Sequence, residues 1–177
     1  MSYPPTAIAK AAKVRLIIFD VDGVLTDGSI TYTSNGTEIK SFNVQDGAAL
    51  KMLMKSGVEC AIITGRTSPM VSRRARELGI QYVFEGADDK AAALTKLCHL
   101  SGCATENMAH MGDDIPDIPL FNRVSFAVSV PTAHPEVSKR AHYVSEALPG
   151  KGAVREVCHL IMTAQKSWPK LIAAIDE

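Results

Sequence analysis

The chain has 177 residues, 46% of them hydrophobic, and its 19 Lys+Arg balance 19 Asp+Glu. That length and apolar content suit one compact domain and leave little room for two. A net charge of +0 and 6% aromatic residues provide neither a global field nor stacking platforms for nucleic acid, so any anion site must be local. The longest apolar runs, such as Leu16 to Phe19, fall far below the roughly 20 residues of a membrane-spanning helix. Neither a nucleic-acid partner nor a membrane partner is expected.

Residues 1–13 show no apolar signal core and read as an N-terminal tail. A single core domain is expected over 14–166, followed by a C-terminal tail over 167–177. Val14 to Asp20 is an unbroken apolar run ending in an acid, the pattern of a strand buried on both faces. Ser29 to Thr33 and Thr37 to Phe42 flank Ser34-Asn35-Gly36, a strong hairpin signal, so a flap hairpin is expected over about 29–42. Further strands are predicted at Glu59 to Thr64, Gln81 to Phe84, Met108 to Gly112 and Ser125 to Val130, with a short one near Tyr143. Helices are predicted at Gly47 to Ser56, Pro69 to Leu78, Ala91 to Leu100, Ile115 to Asn122, Pro135 to Ala141 and Ala153 to about Gln165. Strands alternating with helices imply an α/β fold: a doubly wound, three-layer αβα (Rossmann-like) parallel sheet, with ligands beyond the carboxyl ends of the strands. The four cysteines, Cys60, Cys98, Cys103 and Cys158, lack C-x-x-C spacing, which fits reduced thiols and a cytoplasmic location.

Asp20-Val21-Asp22-Gly23 places two carboxylates at the end of the first strand, where residues i and i+2 point the same way. Such a pair is either a solvated turn or the seat of a hard cation such as Mg²⁺. A second acidic cluster, Gly112-Asp113-Asp114-Ile115-Pro116-Asp117, also follows a core strand and can converge on the same ion. Within it Asp113 reads as a metal ligand and Asp114 as a helix N-cap. Thr64-Gly65 ends another strand in a hydroxyl and free backbone N–H groups, which can hold phosphate oxygens. Lys90 opens a helix, where a cation faces the positive end of the macrodipole and calls for an anion partner. Arg74 shares the apolar helix face of Val71, Ala75 and Leu78, so it either lies along the edge of the core or aims at an anion such as a sugar-acid carboxylate.

D-x-D, a strand-end Thr, a helix-opening Lys and G-D-D-x-x-D occur in that order, and together they resemble the haloacid dehalogenase superfamily of aspartate-nucleophile phosphohydrolases. The resemblance implies that Asp20 attacks phosphorus and that Asp22 protonates the leaving group and later activates water. Thr64 and Lys90 would bind the phosphoryl group; Asp20, Asp113 and the backbone carbonyl of Asp22 would bind Mg²⁺. The interval from Asp27 to Gly47 has no room for a folded cap domain. FDVDGVLTDG (Phe19 to Gly28), FNVQDG (Phe42 to Gly47), Ile62 to Arg66, and GKGAVRE (Gly150 to Glu156) resemble the capless 3-deoxy-D-manno-octulosonate 8-phosphate phosphatases and related phosphatases of nine-carbon acid sugars. That closer resemblance implies lipopolysaccharide biosynthesis, and a homotetramer in which the glycine-rich C-terminal segment helps close a neighbour's site. It implies substrate contacts from Asp22, Asn43, Val44, Gln45, Asp46, Gly47, Lys51, Arg66, Arg74 and Lys90. Pro149-Gly150-Lys151 departs from the usual Gly-Gly-Arg, and the segment from Lys166 to Glu177 is extra. A phospho-receiver domain uses similar groups but carries its aspartate on a middle strand, and a silent oligomerisation module would not need every motif residue.

Overall fold

In the computed structural model, residues 3–174 are described. Helix α1 (Pro5–Ala11) begins with a proline preset for a first helical turn and buries Ala7 and Ala11. Strand β1 (Leu16–Phe19) is fully buried, and Asp20 leads into an irregular wound turn over Val21–Leu25. The hairpin pairs β2 (Thr31–Tyr32) with antiparallel β3 (Glu38–Ile39). It is shorter than Ser29–Thr33 with Thr37–Phe42, because an exposed ribbon has no third strand to extend its pairing.

Helix α2 (Val44–Lys55) starts before the expected Gly47, because the Asn43 side chain accepts from the Gln45 and Asp46 N–H groups at 2.7 and 3.2 Å. Then follow β4 (Glu59–Ile63), α3 (Pro69–Leu78), β5 (Tyr82–Phe84), α4 (Lys90–Ser101) and β6 (Met108–Met111). The predicted helix Ile115–Asn122 divides into a 3-10 turn, Ile115–Asp117, and α5 (Ile118–Phe121), since Pro119 has no N–H to give Ile115. Strand β7 (Phe126–Ser129), α6 (Pro135–Ser138), β8 (Tyr143–Val144), α7 (Ala153–Ala164) and α8 (Trp168–Ala173) complete the order.

The main sheet runs β5-β4-β1-β6-β7-β8 with every pairing parallel. Alternating residues of β1 feed two cores. Ile17 and Phe19 join Leu50 and Leu53 of α2, Val71 and Ala75 of α3 and Val157 and Ile161 of α7. Leu16 and Ile18 join Leu94 and Leu97 of α4, Leu120 and Phe121 of α5 and Val137 of α6. The layers are thus helices, sheet and helices. The chain leaves β1 for β4 on one side and returns to β6 on the other, so the switch point of the sheet lies at the end of β1.

Both stretches expected as tails hold helices. In the N-terminal one, the small alanines of α1 allow close packing on α7, and the Tyr3 hydroxyl lies 2.7 Å from Nδ1 of His159. In the C-terminal one, a positive φ at Lys166 folds α8 back, and Trp168 meets the His159 ring edge-on at 4.5 Å. Residues 175–177 lie outside the described residues.

Glu156 of α7 is buried and joins α7 to the segment after β8. Its carboxylate accepts from the Tyr143 hydroxyl at 2.6 Å and from the N–H groups of Glu146 and Ala147 at 2.9 and 2.8 Å. Glu156→Ala strands those donors and is expected to cost about 3 kcal/mol in urea denaturation followed by Trp168 fluorescence. An unchanged midpoint contradicts this reading.

Candidate active site

Phe19 lies in register with Ile62 of β4 and Met111 of β6, so the residues that follow these three strands meet at one edge of the sheet. Asp20 follows β1, Thr64 follows β4 and Asp113 follows β6. Lys90 opens α4 with its side chain only 4% exposed, and its ammonium lies 2.7 Å from Oδ1 of Asp117 and 3.1 Å from Oδ1 of Asp20. These carboxylates are the anion partners that a lysine in a first helical turn requires.

Asp117 is almost completely committed. Its Oδ1 also lies 3.0 Å from Nε2 of His110, whose Nδ1 faces the Ile18 carbonyl at 3.2 Å. Its Oδ2 accepts from the N–H groups of Asp113 and Asp114 at 3.0 and 3.3 Å. Asp114 accepts from the Ile115 N–H at 2.8 Å and completes a capping box, as its N-cap reading requires. Burial works against charge on Asp117, but its contacts with His110 and Lys90 outweigh it and hold the carboxyl well below the usual range. Lys90 is raised: burial opposes its charge, and Asp117 and then Asp20 prevail. Burial and then the Asp117 charge raise Asp20, against the pull of Lys90. Asp113 is pushed up to about 7, first by burial and then by the charges of Asp20, Asp117 and Asp114.

Asp20, Asp113 and Asp117 each offer an oxygen within 4.8 Å of the others. Among the described residues, Oδ1 of Asp113 is the buried side-chain oxygen without a hydrogen-bond partner. An orphaned oxygen amid surplus negative charge, in an all-oxygen donor set, fits a hard divalent cation. Because Asp117 is occupied by Lys90, His110 and two backbone N–H groups, Asp20 and Asp113 are the carboxylates left to hold such an ion.

Asp20, Asp22, Thr64, Arg66, Lys90 and Asp113 line one open cleft of about 410 Å³. The structure places other predicted contacts elsewhere. Asn43, Asp46, Gly47 and Arg74 line a separate narrow hollow with Phe42 and Leu78. Gln45 lies in a third depression beside Lys151 and Arg155, Val44 is exposed, and Lys51 is exposed on α2. Asn43 and Asp46 hold the chain itself: the Asn43 amide donates to the Gly150 carbonyl at 3.3 Å, and Asp46 accepts from the Gly152 and Arg155 N–H groups at 3.4 and 2.8 Å. Arg74 donates to the Asn43 carbonyl at 3.3 Å and lies over the Phe42 ring at 6.0 Å. A Cβ on Gly47 would overlap the Arg74 guanidinium and displace that side chain.

The roles of three residues near this edge of the sheet escape the sequence reading. Asp117 appears in the acidic motif, and only the folded contacts of its oxygens show that it anchors Lys90. His110 looks like an ordinary core residue of β6. Lys40 is paired with Asp22 and lies 3.5 Å from Glu38. The i, i+2 spacing of Glu38 in β3 and Lys40 just past it is the available signal for a shared face.

A doubly wound sheet with acids after β1 and β6, a strand-end threonine and a buried lysine defines the class: a haloacid dehalogenase-like hydrolase, whose family model matches residues 82–154. The chain is 46% identical over 158 residues to 3-deoxy-D-manno-octulosonate 8-phosphate phosphatase KdsC of Escherichia coli K12, covering 89% of this chain and 84% of that protein. The Moraxella catarrhalis phosphatase of the same name, solved with magnesium, phosphate and KDO, is 43% identical with a TM-score of 0.94, over 98% of this chain and 99% of that one. The cobalt-bound Haemophilus influenzae enzyme is 39% identical with a TM-score of 0.85, over 89% and 92% of the two chains. The chain belongs to the 3-deoxy-D-manno-octulosonate 8-phosphate phosphatase family and is a phosphoric monoester hydrolase.

Gly23, at φ +85°, stands against Asp113, and a Cβ there would overlap the carboxylate. Gly23→Ala is therefore expected to weaken Mg²⁺ binding about tenfold or more in calorimetric titration, with the circular dichroism spectrum retained. Wild-type affinity in this variant would show that Asp113 takes no part in binding the ion.

Proposed function

We propose that the chain hydrolyses 3-deoxy-D-manno-octulosonate 8-phosphate to the free acid sugar and inorganic phosphate, a step of lipopolysaccharide biosynthesis, through an aspartyl-phosphate on Asp20. The observation that carries this reading is the buried Lys90 bridging Asp20 and Asp117 beside the unpartnered Asp113. Asp20, Asp113 and the backbone carbonyl of Asp22 would hold Mg²⁺. When bound, that ion neutralises phosphate charge and so lets a carboxylate approach a phosphate group.

Asp20 attacks phosphorus, forming a P–O bond as the bond to the sugar oxygen breaks. Asp22 gives its proton to the leaving alkoxide. Thr64 and Lys90 hold the phosphoryl oxygens, and the buried Lys90 ammonium acts on developing charge without first reorganising. In the second half Asp22 takes a proton from the water that attacks phosphorus, releasing phosphate and restoring Asp20.

The open cleft leaves the sugar outside the catalytic edge, with Arg66 at its lip. The remaining proposed sugar contacts are Asn43 to Gly47, Lys51 and Arg74. Of those outside this cleft, the exposed Val44, Gln45 and Lys51 with half-buried Arg74 serve a neighbouring subunit's substrate in a homotetramer, while Asn43, Asp46 and Gly47 support that surface from within. Ile30, Tyr32 and Ile39 of the flap and nearby Val44 are large exposed apolar side chains, which supports assembly through that face. The free cysteines and the family's biosynthetic role support a cytoplasmic location.

Phosphate release from this acid sugar phosphate should require Mg²⁺, disappear with a chelator, and fall about 10³-fold or more in Asp20→Asn. Equal rates in wild type and Asp20→Asn would sink the mechanism. Arg74→Ala should lower kcat/KM for the sugar acid about tenfold while sparing a small generic phosphate ester. Equal losses on both substrates would remove its carboxylate-binding role, and a monomeric mass in light scattering would remove the shared site.

A further inference from the structure

The flap carries a lysine that the mechanism above does not use. Lys40 leaves the exposed β2–β3 ribbon with its side chain only 1% exposed, and its ammonium meets two carboxylates, Asp22 and Glu38. Glu38 also accepts from Nη2 of Arg66 at 2.9 Å, and Nε of Arg66 lies 3.7 Å from Asp22. Asp22 is thereby held between two cations, one from the flap and one from the loop after β4, and Glu38 links them.

A buried ammonium on an otherwise solvated hairpin carries a desolvation cost that a surface ion pair would avoid. A lysine that served only to pin the ribbon could do so from the surface. We infer that Lys40 is a positioning residue for the phosphatase reaction: delivered by the flap, it fixes the Asp22 carboxyl toward the leaving oxygen and pairs with the charge that forms there as the proton departs.

The pairing strengthens as the proton moves from Asp22 to the leaving group, so the interaction is greater in the transition state than before it. No bond to Lys40 is made or broken, and the transferred proton is that of Asp22 alone. Glu38 holds the ammonium beside Asp22, and the flap becomes part of the acid–base apparatus. The inference rests on the reading of Asp22 as proton donor.

The test measures kcat/KM for a series of substituted phenyl phosphates of similar size, from acidic to weakly acidic leaving groups, with Mg²⁺ present. A proton donor matters most for the poorest leaving group. Lys40→Met should lose about 10- to 100-fold on phenyl phosphate and less than about threefold on a dinitrophenyl phosphate. Asp22→Asn should steepen the dependence in the same sense, and Lys40→Arg, which keeps the charge, should recover most of the loss. A loss in Lys40→Met that is uniform across the series, or no better retained in Lys40→Arg, would overturn the role of Lys40 and leave Asp22 in place. A uniform loss in Asp22→Asn would remove the donor assignment itself and the inference with it.

Discussion

The site depends on surplus negative charge held in a largely buried corner of the sheet, at the floor of an open cleft. Asp20, Asp113 and Asp117 converge where β1 and β6 end, and Lys90 is the buried ammonium set among them. One ammonium does not balance three carboxylates. The imbalance shows in Asp113, whose unpartnered oxygen and raised proton affinity suit it to hold a cation. The surrounding structure serves that convergence: parallel register brings the strand ends level, and a left-handed glycine at position 23 lets the wound turn pass against Asp113. Asp117, fastened by His110 and two backbone N–H groups, holds Lys90 in place.

Much of this corner was legible in the sequence because its members occupy local landmarks. Asp20, Thr64 and Asp113 each follow an apolar run, and Lys90 opens a helix; pattern alone assigns such positions, and the parallel sheet then aligns them. The N-cap role of Asp114 was legible for the same reason. Lys40 was not, since its place depends on how a two-stranded ribbon folds back over the sheet. The anchoring of Lys90 by Asp117 and His110 was hidden too, because it joins α4 to β6 across the second core. Asn43 and Asp46 stood out as a motif, yet the groups they bind, from Gly150 to Arg155, are remote in sequence. The helix α1 was missed because an alanine-rich segment becomes amphipathic only in relation to the α7 surface it meets.

The two faces of the sheet divide the work. The α4–α5–α6 face carries Lys90, proposed to hold the phosphoryl group, and behind it Asp117 and His110, which anchor it. The α2–α3–α7 face carries Asn43 and Asp46, which bind the glycine-rich segment against the turn after β1, and Arg74, which holds the Asn43 carbonyl; the Gly150 N–H donates to the Val24 carbonyl at 3.2 Å. The flap bridges the two through Glu38, Lys40 and Arg66. No cap domain stands among the described residues, so in the proposed reaction the hairpin and the neighbours of the proposed homotetramer shape the sugar's surroundings.

The central claim is that Asp20 becomes covalently phosphorylated. The most direct measurement is to quench the enzyme with acid during turnover of the acid sugar phosphate, reduce it with borohydride, and map the products by mass spectrometry. An acyl phosphate is reduced at its carbonyl, so the account predicts homoserine at position 20 alone, and none in Asp20→Asn. Homoserine at a different aspartate, or unmodified Asp20 in a burst-quenched enzyme that has released a full equivalent of sugar ahead of phosphate, would contradict it.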